Sequence, residues 1–423
     1  MDGKVKVLIA IWGLMITADC AFSQPDSLWS RRYNMVIRGS IQTHDGDYAF
    51  TGYSVRDDVV FSIVTKLDTL GEVIWENTWE DRFSYREILE TPDSGIAICG
   101  YHRNNFTIHK FSVDGEELYS WDFELEIRPI VNGLLSDSDG GYIVGGWARF
   151  GGETGDDFIL FKISSEGEIE WQHYYEDSPH NQVLYDILEV PDGGYLLVGN
   201  TSMNVYANEV NVIRTDEEGD IVWQEHYGTE YLDISANETG HAIVSSEDGN
   251  FVIACQTIPH EDQNGRNFNA LMIKIDPDSE IIWMNNIDLG RDEKPRSIEK
   301  TLDGGFVFAG YSGEHGANSG NPFIMKTDDY GNHVWSYVEY GISAISGRQH
   351  YNAFAHQDRT YSLVEENSEN LPGFLQKFGR DPHGLADGSN GFLPYQTELQ
   401  GTYPNPFNSI TTFVFTVGSP ATV

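Results

Sequence analysis

The chain has 423 residues, of which 66 are acidic and 26 are basic, and its formal net charge is −40 at pH 7. Phosphate binding needs a basic surface, so this charge argues against a protein that binds nucleic acid. An excess of carboxylates favours solubility in a salty extracellular medium, and it also attracts hard cations such as Ca²⁺.

The first 23 residues predict a secretory signal peptide. Lys4 and Lys6 precede the apolar run VLIAIWGLMITA, and Ala21-Phe22-Ser23 forms a cleavage site of the small-x-small type. Cys20 leaves a lipoprotein as an alternative, although Asp19 fits a lipidation motif poorly. The apolar run is too short to span a bilayer stably, and we find no other stretch that is long and apolar enough.

One sequence motif then recurs along the chain. It consists of an Asp-Gly turn, an apolar run, a variable loop, a second apolar run that ends in a basic residue, an acidic Gly turn and a Trp. Clear copies run from Asp139 to Trp171, from Asp192 to Trp223 and from Asp303 to Trp335, and looser copies end at Trp75, Trp121 and Trp283. The basic residue precedes Trp by nine positions in five of the six copies: Lys66, Lys162, Arg214, Lys274 and Lys326.

A period of about 46 to 60 residues built from short strands indicates a β-propeller. In the third copy we predict strands over 131–136, 142–147, 157–163 and 168–175. Runs such as FILF and YLLV are apolar at successive positions, as expected for strands packed on both faces. The fold class is therefore all-β, with the propeller over 24–380.

The tryptophans give six repeats, but the turns give seven. Residues 351–379 repeat strands one to three, with Lys377 at the basic position, and then lack a fourth strand and its Trp. We predict that SLWSRRY (27–33), which carries Trp29, supplies that strand and closes a seven-bladed ring. A six-bladed ring is the alternative.

Three smaller predictions follow from the repeat. Cys99 and Cys255 lie three repeats apart, too far for a disulfide, and should be buried. The glycines five residues after the basic residue should adopt a left-handed conformation, so Ser279, which replaces one, should strain its turn. We interpret one set of residues as packing anchors between repeats: Trp29, Trp75, Trp121, Trp171, Trp223, Trp283 and Trp335.

The end of the chain differs in composition. Residues 381–400 are rich in Gly, Asp and Pro and predict a linker. The string Tyr403, Pro404, Asn405, Pro406, Phe407, Asn408, followed by Thr411, Thr412 and an alternating strand, resembles the start of the C-terminal sorting domain of type IX secretion cargo. That resemblance implies a small β-sandwich that carries the protein across the outer membrane. The later part of such a domain is missing from 401–423, so we expect an incomplete domain.

No catalytic motif stands out. We find no HExxH, GxSxG, P-loop or CxxC pattern, and the 13 histidines show no ligand spacing. Asp137-x-Asp139 resembles part of a Ca²⁺ loop but lacks further ligands, so we interpret it as a hairpin turn. If a metal site exists, it should involve a few acids of the third repeat that cannot all share one ion, giving weak, salt-sensitive Ca²⁺ association: Asp137, Asp139, Glu153, Asp156 and Asp157. A quinone-dependent dehydrogenase is a weaker alternative without a marked pocket.

Two function hypotheses remain. Propellers of this kind resemble repeats of bacterial surface proteins, and the variable loops over 148–156, 201–209, 257–270 and 312–322 should share one face of the disc. The first hypothesis is a secreted or cell-surface monomer of a Gram-negative bacterium that binds glycan or protein without catalysis. Its partners would also include the secretion machinery. The second is an extracellular glycan lyase or hydrolase. A deep pocket with two carboxylates and a perturbed His would support the enzyme, and we expect no such pocket from the regular apolar runs.

Overall fold

The structure is a computed structural model of the whole chain. It describes the residues in the following ranges: 25–81, 83–149, 155–176, 180–204, 207–228, 237–258, 268–313, 320–339, 351–365, 373–380, 397–404 and 411–417. They divide into two compact units, of which the first ends at Pro382 and the second begins at His383. The parts of the chain that the structure describes contain no helix capable of crossing a membrane.

The first unit is a seven-bladed β-propeller, as the turns predict, and each blade is one antiparallel four-stranded sheet. Blades 1 to 3 consist of β2 (Val36–Gln42), β3 (Tyr48–Arg56), β4 (Val59–Leu67) and β5 (Val73–Glu80); β6 (Ser84–Glu90), β7 (Ile96–His102), β8 (Asn105–Phe111) and β9 (Glu117–Glu124); and β10 (Arg128–Ser136), β11 (Tyr142–Arg149), β12 (Asp156–Ile163) and β13 (Ile169–Tyr175). Blades 4 to 6 consist of β14 (Asn181–Glu189), β15 (Tyr195–Asn204), β16 (Ala207–Thr215) and β17 (Ile221–Tyr227); β18 (Thr239–Ser245), β19 (Phe251–Thr257), β20 (Asn269–Ile275) and β21 (Ile281–Ile287); and β22 (Asp292–Lys300), β23 (Phe306–Gly313), β24 (Gly320–Thr327) and β25 (His333–Val338). The six-bladed alternative is wrong, because the strands within 351–378 belong to a seventh sheet.

That seventh sheet draws on both ends of the propeller sequence. Its strands are β26 (Tyr351–Ala355), β27 (Tyr361–Glu365), β28 (Gly373–Phe378) and β1 (Ser27–Tyr33), and β1 pairs antiparallel with β28. The first strands of the blades contact one another in sequence around the ring, and β26 contacts β2. The first strands are therefore the innermost ones, and they surround a central channel.

A cation on the third strand joins the second hairpin of each of the first six blades to the turn of its first hairpin, and it is buried in all of them except blade 3, where Lys162 is half-buried. Lys326 is 1% exposed, and its Nζ lies 2.9 Å from Asp303 Oδ2 in the preceding turn. Every such cation pairs with the aspartate of the Asp-Gly or Asp-Ser turn: Lys66 with Asp45, Lys110 with Asp93, Lys162 with Asp139 (and Asp137), Arg214 with Asp192, Lys274 with Asp248 and Lys326 with Asp303. The recurring basic residue is thus explained by the fold, because a buried charge needs a partner.

The outer-strand tryptophans contact the next blade. A Cβ on Gly115 would lie 2.6 Å from the Trp75 ring, and Trp75 Nε1 donates to the Val113 carbonyl at 2.9 Å. The same close approach joins Trp29 to Gly71, Trp121 to Gly167, Trp171 to Gly219 and Trp283 to Gly331, and Trp223 Nε1 donates to Pro277 O. Trp335 lacks such a glycine contact, because blade 7 has no hairpin between its third and fourth strands, but its ring packs on Tyr361 at a centroid distance of 5.2 Å, as Trp29 packs on Tyr48.

Two local predictions are confirmed. Cys99 and Cys255 are buried and free. The hairpin glycines have positive φ, such as 78° at Gly71, and Ser279 is held at φ 73° in their place.

The second unit, 383–423, contains β29 (Thr397–Pro404) and β30 (Thr411–Val417), which pair antiparallel. Tyr403 and Pro404 of the tail motif end β29, and β29 begins within the segment predicted as a linker. Asn405, Pro406, Phe407 and Asn408 lie outside the described residues, as does the predicted signal peptide.

Candidate functional site: the central channel

The innermost strands share a distortion that presents polar side chains to the channel. In blades 1 to 6 the ladder between the first and second strands shifts register by one residue, as in a β-bulge. The residues at the shift are polar or aromatic in every case: Arg38, Arg86, Asn132, Tyr185, His241 and Arg296. In blade 7, Asn352 takes the corresponding place and donates to the Ser40 carbonyl of blade 1 at 2.8 Å.

A cavity of about 240 Å³ lies among these strands, and all seven blades contribute to its lining. It is lined in part by the following side chains: Arg86, Glu87, Asn132, Tyr185, Asp186, His241, Arg296, Ser297 and Asn352. A single concave site that collects polar groups from every blade is the arrangement expected of a ligand-binding pocket.

Two carboxyl groups face this cavity, and both resist ionisation. Burial, reinforced by the charge of Asp186 and opposed by Arg86, raises the pKa of Glu87 to about 8. Burial likewise raises the pKa of Asp186 to about 7, although the backbone amides of Ile243 and Ile187 donate to its carboxylate at 2.9 and 2.8 Å. Near neutral pH the cavity therefore holds carboxyl groups that can donate hydrogen bonds.

On the side formed by blades 5 and 6, a histidine and an arginine lie together. Arg296 Nη1 is 2.9 Å from His241 Nδ1, and the ring of Tyr185 meets that of His241 with centroids 4.6 Å apart. Burial, with further contributions from Arg296 and Lys294, holds the pKa of His241 well below its usual range. The histidine is therefore neutral and accepts from the guanidinium.

Aromatic rings surround the arginines of the channel. Arg38 stacks over Tyr53, Arg86 over Tyr101 and Arg296 over Tyr311, each at 5.3 to 5.5 Å from the ring centroid. The tyrosines that line the cavity itself are Tyr185 and Tyr351. An aromatic face beside hydrogen-bonding groups suits a ligand that has both apolar C–H surfaces and hydroxyls, as sugars do.

A larger cavity of about 600 Å³ lies beside blade 6. Two of its lining residues, Ser312 and Glu339, come directly or nearly directly before segments outside the described residues. The channel cavity is enclosed by described strands alone, so we take it as the candidate site.

The expectation that no dedicated pocket exists is wrong. It rests on the regular apolar runs of the second and third strands, whereas the first strands line the cavity. A signal was present in the sequence: the polar residue lies seven positions before the turn aspartate in blades 1 to 6, as Arg38 does before Asp45. In blade 7 the interval is six, because β26 has no register shift.

The acids of the third repeat do not converge. Asp137 and Asp139 share Lys162, at 2.7 and 3.5 Å, whereas Asp156 lies at the other end of β11 and pairs with Arg149 at 2.8 Å. Glu153 and parts of the four variable loops lie outside the described residues. The outer-strand tryptophans are not among the residues that line the channel cavity.

The sequence matches no protein-family model, and no curated protein matches it. Solved structures are similar in fold. The extracellular domains 1–2 of Drosophila semaphorin 1a superpose with a TM-score of 0.51 at 10% identity, covering 86% of this chain and 90% of that one. A Penicillium chrysogenum α-L-arabinanase gives 0.49 at 9% identity (83% and 98%), and a Bacteroides caccae protein of unknown function gives 0.42 at 14% (70% and 96%). At these identities the similarity shows the propeller fold alone.

Proposed function

We propose that the protein is a non-enzymatic binding propeller whose central channel accepts a saccharide. The observation that carries this proposal is the 240 Å³ cavity, which receives side chains from all seven blades. Its volume lies below the roughly 300–1,000 Å³ of sites for drug-sized ligands, so we expect it to hold one terminal sugar ring rather than an extended chain.

Calorimetric titration against a panel of short oligosaccharides tests the proposal. Tyr185→Ala removes an aromatic face of the cavity and should weaken binding at least about tenfold, equivalent to 1.4 kcal/mol. Tyr330→Ala is the matched control, because Tyr330 is 66% exposed and lies in a hairpin turn of blade 6. Binding that is absent from the whole panel, or equal in the two variants, would contradict the proposal.

A second candidate is an extracellular glycan lyase or hydrolase, and one observation favours it. The channel contains the two carboxyl groups and the perturbed histidine named above as the mark of an enzyme: Glu87, Asp186 and His241. Incubating each bound saccharide with the protein and separating the products distinguishes the two. Cleavage that Glu87→Gln abolishes without weakening binding would establish the enzyme, whereas intact saccharide supports the binding module.

We also propose that β1 closes the ring by completing blade 7. Support comes from the interface between blades 7 and 1, which has the same contacts as the others: Trp29 packs on Gly71, and Tyr33 Oη donates to the Gly71 carbonyl at 2.9 Å. Gln42 Nε2 also lies 2.6 Å from His356 Nδ1 across this interface.

Export remains a proposal that rests on the sequence. The signal peptide at 1–23 would direct the protein out of the cytoplasm, and the tail from Tyr403 would engage the type IX secretion machinery, releasing a monomer at the outer surface of a Gram-negative cell. Fusing 383–423 to a periplasmic reporter in a type IX-competent host tests the tail, and a reporter that stays in the periplasm would contradict it. Weak Ca²⁺ association driven by net charge is part of the same proposal and should disappear at high salt.

A further inference from the structure

Two cations on the inner strand of blade 6, one buried and one half-buried, differ from the cations that join the hairpins of this acidic protein. Lys294 is 7% exposed and Arg296 follows it by two residues on β22. The cations that join the hairpins of blades 1 to 6 each have an aspartate partner. Within the described ranges, neither Lys294 nor Arg296 forms an ion pair with a carboxylate.

The contacts of these two cations are with neutral groups. The Lys294 ammonium lies 3.7 Å from the ring centroid of Phe268 and 5.3 Å from that of Tyr311. Arg296 stacks on the same Tyr311 ring at 5.3 Å and contacts the neutral His241. Two positive charges therefore flank one tyrosine, and Arg296 borders the cavity. A buried or half-buried positive charge without an anionic partner favours an anionic ligand.

We propose that the saccharide bound in the channel carries a carboxylate, as a uronic acid does, and that Arg296 binds this carboxylate while Lys294 adds to the positive field. This inference rests on the proposed function and names the ligand class of the same site. A planar guanidinium matches a planar carboxylate through two parallel hydrogen bonds. The face of Tyr185, on the His241 side of the cavity, offers a surface for the sugar ring.

The acids of the channel set how such binding depends on pH. The titratable and charged groups on the inner strands around the cavity include Arg38, Arg86, Glu87, Tyr185, Asp186, His241, Lys294, Arg296, Glu299 and Tyr351. Burial raises the pKa of Glu87, Asp186 and Glu299 towards neutrality, whereas His241 stays neutral. When these acids lose their protons at high pH, they repel an anion, so affinity for a uronate should fall between pH 6 and pH 9.

Calorimetry with paired probes tests the inference. The probes are trisaccharides of galacturonate, glucuronate, mannuronate and guluronate, each with its methyl ester, which keeps the sugar and removes the charge. For the uronate that binds best, we expect its ester to bind about 10- to 100-fold more weakly, as for a lost charged hydrogen bond. Affinity for the acid, but not for the ester, should fall about tenfold between pH 6 and pH 9.

Variants assign the effect to a residue. Arg296→Gln should reduce uronate affinity to that of the ester and leave ester affinity unchanged, and Arg296→Lys should recover part of the loss. Arg31→Gln makes the same charge change on the outer strand β1, where Arg31 pairs with Glu72, and should change neither affinity. Melting curves confirm that each variant is folded, and the pH series on the unmodified protein needs no variant.

The outcomes separate this inference from the proposed function. If uronate and ester bind equally and Tyr185→Ala weakens both, the saccharide channel stands and the anionic ligand is refuted. If a sulfated trisaccharide binds tighter than every uronate, the carboxylate is refuted. If no saccharide binds, both proposals fail.

Discussion

Trp29 lies opposite Lys377 in the ladder between β1 and β28, in the register in which Trp75 lies opposite Lys66 within blade 1. Trp171, Trp223, Trp283 and Trp335 face their basic residues in the same way. This shared register supports the proposal that β1 completes blade 7. Without this pairing, β1 and β28 would each leave a strand edge with unpaired backbone groups.

Deleting residues 25–33 should lower the melting temperature by several degrees or more, because it exposes β28 and removes the contact between Trp29 and Gly71. The single change Trp29→Ala should cost about 1–3 kcal/mol of unfolding free energy. Thermal melts monitored by circular dichroism measure both. As a control, removing residues 401–423 from the second unit should leave the melting temperature of the propeller unchanged. An unaltered melt after the N-terminal deletion would show that β1 does not close the ring.

The pair of Lys326 and Asp303 should behave as one unit. Asp303→Asn leaves the ammonium of a residue that is 1% exposed without its carboxylate, and we expect a loss of about 3 kcal/mol or more. Combining it with Lys326→Met should restore most of that stability, because no buried charge is then left unpaired. Urea denaturation of the single and double variants measures the coupling. Strictly additive losses would mean that the pair contributes no specific interaction.

Ser279→Gly should stabilise the protein by about 0.5–1 kcal/mol, because Ser279 holds φ 73° in a turn where five other blades have glycine. The reverse change, Gly331→Ala in blade 6, should destabilise: φ there is 76°, and a Cβ would lie 2.8 Å from Trp283. Equilibrium unfolding compares the two. A less stable Ser279→Gly variant would argue that the serine side chain makes a contribution larger than the strain.

Glu87→Gln should stabilise the protein only at high pH. The folded-state pKa of about 8 lies above the ordinary value of 4.5, so the protein loses stability as pH rises through this interval and the buried carboxyl is forced to ionise. We expect a gain of roughly 1–3 kcal/mol at pH 8.5 and little change at pH 5. Urea denaturation at both pH values measures it. Glu72→Gln, at a residue whose side chain is 67% exposed, is the control and should show no such pH dependence.

The fold was predictable from the sequence because the positions that define it are repeated. The Asp-Gly turns, the basic residue and the glycine at the second hairpin each satisfy a local requirement, and Ser279 was recognisable as a departure because five other blades have glycine there. Blade 7 was predictable from Lys377, although its Trp stands at the other end of the chain.

The site was not predictable in the same way, because the type of residue at the bulge differs from blade to blade. Arg38, Asn132, Tyr185 and His241 occupy equivalent bulges but share no chemistry, so a search for recurring motifs passes over them. The constant interval of seven positions between these residues and the turn aspartate could be read from the sequence. The raised pKa of Glu87 could not, since it depends on burial in the channel and on the charge of Asp186 from two blades away.

The most direct test of the channel as the binding site is hydrogen–deuterium exchange with and without a saturating saccharide. We expect slowed exchange to concentrate on the inner strands, above all β6, β14, β18 and β22, which carry Glu87, Asp186, His241 and Arg296. Protection confined to the loops between second and third strands, with these inner strands unchanged, would contradict this expectation and place the ligand on the face of the disc.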